Sequence, residues 1–165
     1  WSVTSFNELT RDGMACDDYN RLHPTADQKT PWVTSQLASH KGIVVAATDY
    51  MRNYSEQIRG WLPDSRPYVT LGTDGFGRSD SRAKLRSFFN VNAEHIVVAT
   101  LKKLADEGDI DVRLVQDAIN SFDIDADQAP AWQRQPQYDF FPDAPAPKAT
   151  REPNPVPELV EDDNH

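Results

Sequence analysis

The chain has 165 residues, 38% of them hydrophobic, a net charge of −9 and a single cysteine. That length has room for one domain. No apolar run approaches a bilayer span, and an acidic balance without a Lys/Arg-rich block excludes a nonspecific nucleic-acid binder. Cys16 cannot close an internal disulfide and has no His or Cys at metal spacing, so a reducing interior is expected.

In chain order, the first expected element is a strand over residues 2–6, where Trp1-Ser-Val-Thr-Ser-Phe6 alternates apolar and polar side chains. No Met and no leader-like segment opens the sequence, so it is expected to be part of a longer protein whose upstream portion is missing. The continuous apolar run Gly42-Ile-Val-Val-Ala-Ala47 predicts a second strand over 43–48, covered on both faces as in a parallel sheet. Tyr50, Tyr54, Ile58 and Trp61 then recur at helical spacing, giving a helix over 49–62 stopped by Pro63.

A third strand is expected over 68–72, followed by a helix marked by Leu85, Phe88 and Phe89. Ile96, Val97, Leu101 and Leu104 define an amphipathic helix over 93–107, closed by Gly108. Asp111 caps a last helix carrying Val112, Val115, Ile119 and Phe122. Alternating strands and helices imply an α/β fold with an open, mainly parallel sheet and helices on both faces.

Residues 125–165 have a different composition. They hold eight of the twelve prolines, with nine acidic against three basic residues. Such sequence buries too little apolar surface to offset its ordering entropy, so a largely disordered tail is expected from 126 to 165. Within it, Trp132, Tyr138, Phe140 and Phe141 could dock on a partner or on the body itself.

The segment with most chemical interest is Gly72-Thr-Asp-Gly-Phe-Gly-Arg-Ser-Asp-Ser-Arg82, placed between the third strand and a helix. A loop opening a helix presents free N–H groups to an anion. It is neither G-x-x-x-x-G-K-[ST] nor G-x-G-x-x-G, and Asp74 and Asp80 repel an anion unless Arg78 and Arg82 offset them. Two readings stay open on residues alone: an anion loop, and a strand-to-helix turn that Gly72, Gly75 and Gly77 make possible and Ser79 or Asp80 caps. The turn is the better supported.

Trp1-Ser-Val-Thr-Ser-Phe-Asn-Glu-Leu9, Ala47-Thr-Asp-Tyr-Met51 and Leu71-Gly-Thr-Asp-Gly-Phe-Gly-Arg-Ser-Asp-Ser-Arg82, in that order, resemble the C-terminal domain of the homodimeric bacterial pyruvate dehydrogenase E1 family. Phe88-Phe89 and Leu104-Ala-Asp-Glu-Gly108 extend the resemblance over about residues 1–125. It implies a transketolase-like C-terminal α/β domain lacking its first strand and helix. It also implies an enzyme that uses thiamine diphosphate and Mg²⁺ to decarboxylate pyruvate and reductively acetylate the lipoyl group of an E2 acetyltransferase in the bacterial cytoplasm.

On that resemblance the metal ligands and catalytic groups belong to upstream domains, and no catalytic, cofactor-binding or metal-binding residue falls on this chain. Its own role is structural and dimer-supporting, with Gly72, Asp74, Gly75, Phe76, Gly77, Arg78, Ser79 and Asp80 as a structural signature loop. Its implied partners are the upstream domains, the homodimer partner and E2. The alternatives are a free-standing anion-binding or interaction module using residues 72–82, or the equivalent domain of another 2-oxo-acid dehydrogenase or a transketolase.

Other candidates have plain readings beside chemical ones. His95 suits a packing residue near a helix start better than a base, and His23 and His40 lack a ligand partner at metal spacing. Asp17-Asp18 and Glu161-Asp162-Asp163 read as solvated acidic runs, and Asp49 as a helix cap.

Overall fold

In the computed structural model, residues Trp1–Arg134 are described. The first element is helix α1, Phe6–Leu22, where a strand over residues 2–6 is expected. Ser5-Phe-Asn-Glu8 has the sequence of a capping box, and its N-cap half forms: Ser5 is extended (φ −156°) and its hydroxyl accepts the Glu8 N–H at 3.2 Å. The alternation before it is the approach to a cap. Leu9 and Phe6 face the core, and Gly13 and Cys16 are buried.

Helix α2, Trp32–Leu37, follows a loop held at both ends. Asn20 exchanges two hydrogen bonds with the Lys29 backbone, and the Trp32 N–H donates to Asp12 at 2.6 Å. Strands β1, Val44–Ala47, and β2, Tyr68–Leu71, pair in parallel, with Val44 opposite Tyr68 and Ala47 opposite Leu71. Both strands thus form as expected, within a residue or two at their ends, and among the described residues the sheet has two strands rather than three.

The helix expected over 49–62 breaks up. Only α3, Asn53–Glu56, is α-helical, followed by tight turns at Arg59–Trp61 and Pro63–Ser65. The cause is competition for backbone groups. The Tyr50 carbonyl accepts the Thr73 N–H at 2.9 Å and the Asp49 carbonyl accepts the Thr73 hydroxyl at 2.9 Å, so the first turn of that helix is bonded to a distant loop instead.

Val33, Ile58, Leu62 and Tyr68 form the buried core, with Leu37, Val44, Ala46 and Trp61 packed on it. Helix α4, Arg82–Phe88, leads to α5, Ala93–Asp106, and α6, Val112–Ser121. Helix α5 packs on both strands and on α6. Its cap is Asn92, that of α6 is Asp111, and Gly108 takes φ +84° just past the end of α5.

The architecture is therefore α/β, with a small parallel sheet covered by helices, as expected. Among the described residues no helix is long and apolar enough to cross a membrane. Of the segment expected as a tail, residues 126–134 are described and make a tight turn at Ala131–Gln133. The reading of 135–165 as disordered, and the docking residues Tyr138, Phe140 and Phe141, lie outside the described residues, as do His165 and Glu161-Asp162-Asp163.

Candidate functional site

The glycine segment leaves β2 and passes under the end of β1. At Gly72 an added Cβ would lie 2.7 Å from both the Arg52 nitrogen and the Tyr50 carbonyl oxygen. Both are backbone atoms that cannot yield, so only glycine fits. Asp74 turns inward: Oδ1 accepts the Arg52 N–H at 3.1 Å and Oδ2 accepts Arg52 Nε at 2.5 Å. One carboxylate thus satisfies a backbone donor and a guanidinium together, and it is not aimed at solvent.

Gly75 has φ +112°, which favours glycine, and its missing side chain makes room for Trp132, whose Cα would stand 3.1 Å from a Cβ there. Phe76 stands out at the loop tip, 92% exposed. Arg78 lies over the Phe88 ring, its guanidinium carbon 3.8 Å from the centroid, and donates to the Arg134 carbonyl at 2.6 Å. Ser79 is exposed.

Ser81, rather than Ser79 or Asp80, caps α4 by accepting the Lys84 N–H; Asp80 accepts the Ser81 N–H at 2.7 Å. Both acceptors come from the chain itself. Two of the N–H groups at the start of α4 are thus taken by the chain's own oxygens, which weakens the anion reading.

Beside the loop is an open groove of about 450 Å³, with Leu85, Phe89 and Val91 among its lining and Arg78, Arg82 and Arg86 around it. A second open groove, of about 590 Å³, is lined by Ala47, Asp49, Arg86, Asn92 and Ile96 at the end of β1. Asp49 faces Arg86 at 3.6 Å across this region, a loose, exposed pair.

The remaining candidates are absorbed by packing and capping. Burial lowers the His95 imidazole, and its Nδ1 meets Asn92 Oδ1 at 2.5 Å, the same oxygen that accepts the His95 N–H. That oxygen can only accept, so Nδ1 carries the proton. His23 closes α1 and stacks on Tyr19 at 4.3 Å, while His40 meets Trp1 edge-on. Asp17 accepts the Trp61 indole N–H at 2.8 Å, and Asp18 pairs with Arg21. Cys16 is buried and its thiol is pushed up by burial, which keeps it protonated and unreactive.

Two further polar groups are tuned. Hydrogen bonds from Arg59, then the Thr70 hydroxyl, hold the Glu56 carboxyl below the usual range. Burial raises the Tyr68 phenol to about 12, and its hydroxyl donates to the Ser55 carbonyl at 2.8 Å. Among the described residues no three His, Cys, Asp or Glu side chains gather where they could hold a metal ion.

Among the described residues the fold is a small parallel sheet with a glycine loop locked onto the segment after its first strand. The Transketolase-like TK C-terminal domain family matches residues 1–92, more than half of the chain, and the chain belongs to that family. Beyond the class, the chain is 53% identical over 128 residues to the pyruvate dehydrogenase E1 component of Pseudomonas aeruginosa. It is 48% identical over 128 residues to that of Escherichia coli K12, and 49% over 125 residues to that of Mycolicibacterium smegmatis. The first two alignments cover 78% of this chain and 14% of the relative; the third covers 76% and 13%. The chain thus spans about one-seventh of the length of the curated relatives it matches.

Sequence reasoning missed Arg52 and Arg134 as partners of the loop. Neither has a local signal, because the contacts span 22 and 56 residues of sequence.

Proposed function

We propose that this chain is the C-terminal part of a pyruvate dehydrogenase E1, an enzyme that decarboxylates pyruvate with thiamine diphosphate and transfers the acetyl group to the lipoyl arm of E2. Identity near one half to E1 components of three bacteria carries this reading. The residues here do not fit a thiamine diphosphate–Mg²⁺ site: the loop carboxylate is committed to Arg52, and α4 is capped from within. The chemistry belongs to the other domains of the enzyme, and this domain, residues 1–125, supports their assembly as a homodimer in the bacterial cytoplasm.

Calorimetric titration of the chain with thiamine diphosphate and Mg²⁺ tests the division of labour. No saturable heat is expected, and saturable binding would overturn it. Assay of the full-length enzyme tests the substrate: turnover of another 2-oxo acid in preference to pyruvate would refute the assignment while leaving the family intact.

A further inference from the structure

The contacts that hold the signature loop converge on one short segment that the family role does not explain. After α6 the chain runs back to the loop and turns at Ala131–Gln133. There it meets the loop at two points. Trp132 fills the space opened by the absent Gly75 side chain, within 3.1–3.5 Å of where a Cβ would stand. The Arg134 carbonyl accepts Arg78 Nη2 at 2.6 Å.

Two more contacts tie the segment to the rest of the body. Arg52, the residue that holds Asp74, has its guanidinium carbon 5.8 Å from the Trp132 ring centroid. Arg134 lies over Phe88 at 4.5 Å, sharing that ring with Arg78, and donates to the Asn90 side chain at 3.3 Å. Asn90 itself is held at φ +57°, in the turn between α4 and α5.

We propose that residues 130–134 are a latch that fixes the conformation of the 72–82 loop, with Trp132 and Arg134 as positioning residues. Gly75 and Arg78 bracket Phe76, so the latch sets where that exposed ring stands. The fold alone holds the loop weakly. Among the described residues Gly77 meets nothing within 4 Å, and Gly75, Phe76 and Gly77 are all exposed. Without the segment, the loop keeps Asp74–Arg52 at one end and Arg78 over Phe88 at the other, and loses Trp132 at Gly75 and the Arg134 carbonyl.

The latch also carries built-in tension. Arg78 and Arg134 bring two guanidinium groups to one ring; burial first, and Arg78 second, lower the proton affinity of Arg134. Arg134 Nε is buried and has no hydrogen-bond partner among the described residues. Such a contact is made to open more readily than a core, because part of its attraction is cancelled by repulsion and an unmet donor.

Amide hydrogen exchange on the whole chain tests this. Trp132 and Arg134 meet the loop through backbone atoms and Cβ, which alanine keeps, so the loop is varied instead. In Arg78→Ala, which removes the donor to the Arg134 carbonyl, the hydrogen-bonded amides of Gln133 and Arg134 should exchange about tenfold faster, with β1, β2 and α5 unchanged. In Gly75→Ala, whose Cβ would stand 3.1 Å from the Trp132 Cα, the same two amides should also exchange faster, and trypsin should cut after Arg78 sooner than in the wild type, relative to cleavage after Arg113. Exchange at Gln133 and Arg134 unaltered in both variants, or acceleration spread evenly over sheet and segment, would overturn the latch.

Discussion

Replacing Gly13 by alanine sets two effects of opposite sign against each other. Gly13 lies inside α1, where local propensity alone makes alanine better by about 0.5–1 kcal/mol. The structure opposes this. A Cβ at Gly13 would lie 2.4, 2.5 and 2.7 Å from three atoms of the Trp61 ring, where ordinary contact begins at 3.4 Å. The ring would therefore have to retreat by about an ångström.

That ring is not free to move. Its indole N–H is held by Asp17 at 2.8 Å, and the Trp61 carbonyl accepts the Thr34 hydroxyl from α2. Overpacking of this kind costs about 1–3 kcal/mol, and loss of the indole bond adds about 1. Set against the propensity gain, Gly13→Ala should destabilise by about 1–3 kcal/mol in urea unfolding. The decisive comparison is a double-mutant cycle with Trp61→Leu. With the ring gone, the same Gly13→Ala change should become neutral or stabilising. A stabilising Gly13→Ala in the wild-type background, or an equal cost in both, would show that the ring does not dictate glycine here.

Two further outcomes follow from the polar contacts. Asp74→Ala leaves the half-buried Arg52 N–H without an acceptor and breaks a half-exposed ion pair, so a loss of about 1–2 kcal/mol is expected. Asp74→Asn keeps an oxygen for that N–H and should lose less than half as much; equal losses in urea melts would contradict the shared-carboxylate reading. Tyr68 titrates near 12 when folded and near 10 when unfolded, so between these values the native state holds a proton that the unfolded chain has released. Stability must therefore fall as pH rises through that window, being intact below it. Tyr68→Phe, though less stable at neutral pH for want of the Ser55 bond, should show a shallower alkaline decline, and an unchanged slope would count against burial as the cause.

The elements that were legible in the sequence are those whose signal is local. Strands β1 and β2, α5 with Asn92 and Gly108 at its ends, and α6 with Asp111 each carry an apolar pattern and a cap within a few residues. Helix α1 carried its capping box openly, yet its apolar stripe is broken where it matters. The core-facing position after Leu9 is Gly13, and the apolar group that fills it is Trp61, from another part of the chain. Helix α2 has six residues, too few for a period. The helix over 49–62 had the right period and failed because Thr73 claims the carbonyls of Asp49 and Tyr50. A competitor over 20 residues away leaves no mark on a local pattern.

The same distinction explains why a run as compact as Gly-Thr-Asp-Gly-Phe-Gly could not be assigned from its own residues. Its positions answer to distant parts of the fold. Gly72 is dictated by the backbone of residues 50 and 52, Thr73 by two carbonyls at the end of β1, Asp74 by Arg52, and Gly75 by Trp132 and a positive φ. Gly77 meets nothing among the described residues and its φ is not positive, so they place no demand on it. An anion loop would spend its amides and charges on something outside the chain. Here Thr73 and Arg78 donate inward and Asp74 accepts from within, while Phe76 faces outward. The loop is a joint to two separate segments, residues 49–52 and 130–134, and Gly72 and Gly75 mark where those segments come too close, or the chain turns too sharply, for a side chain.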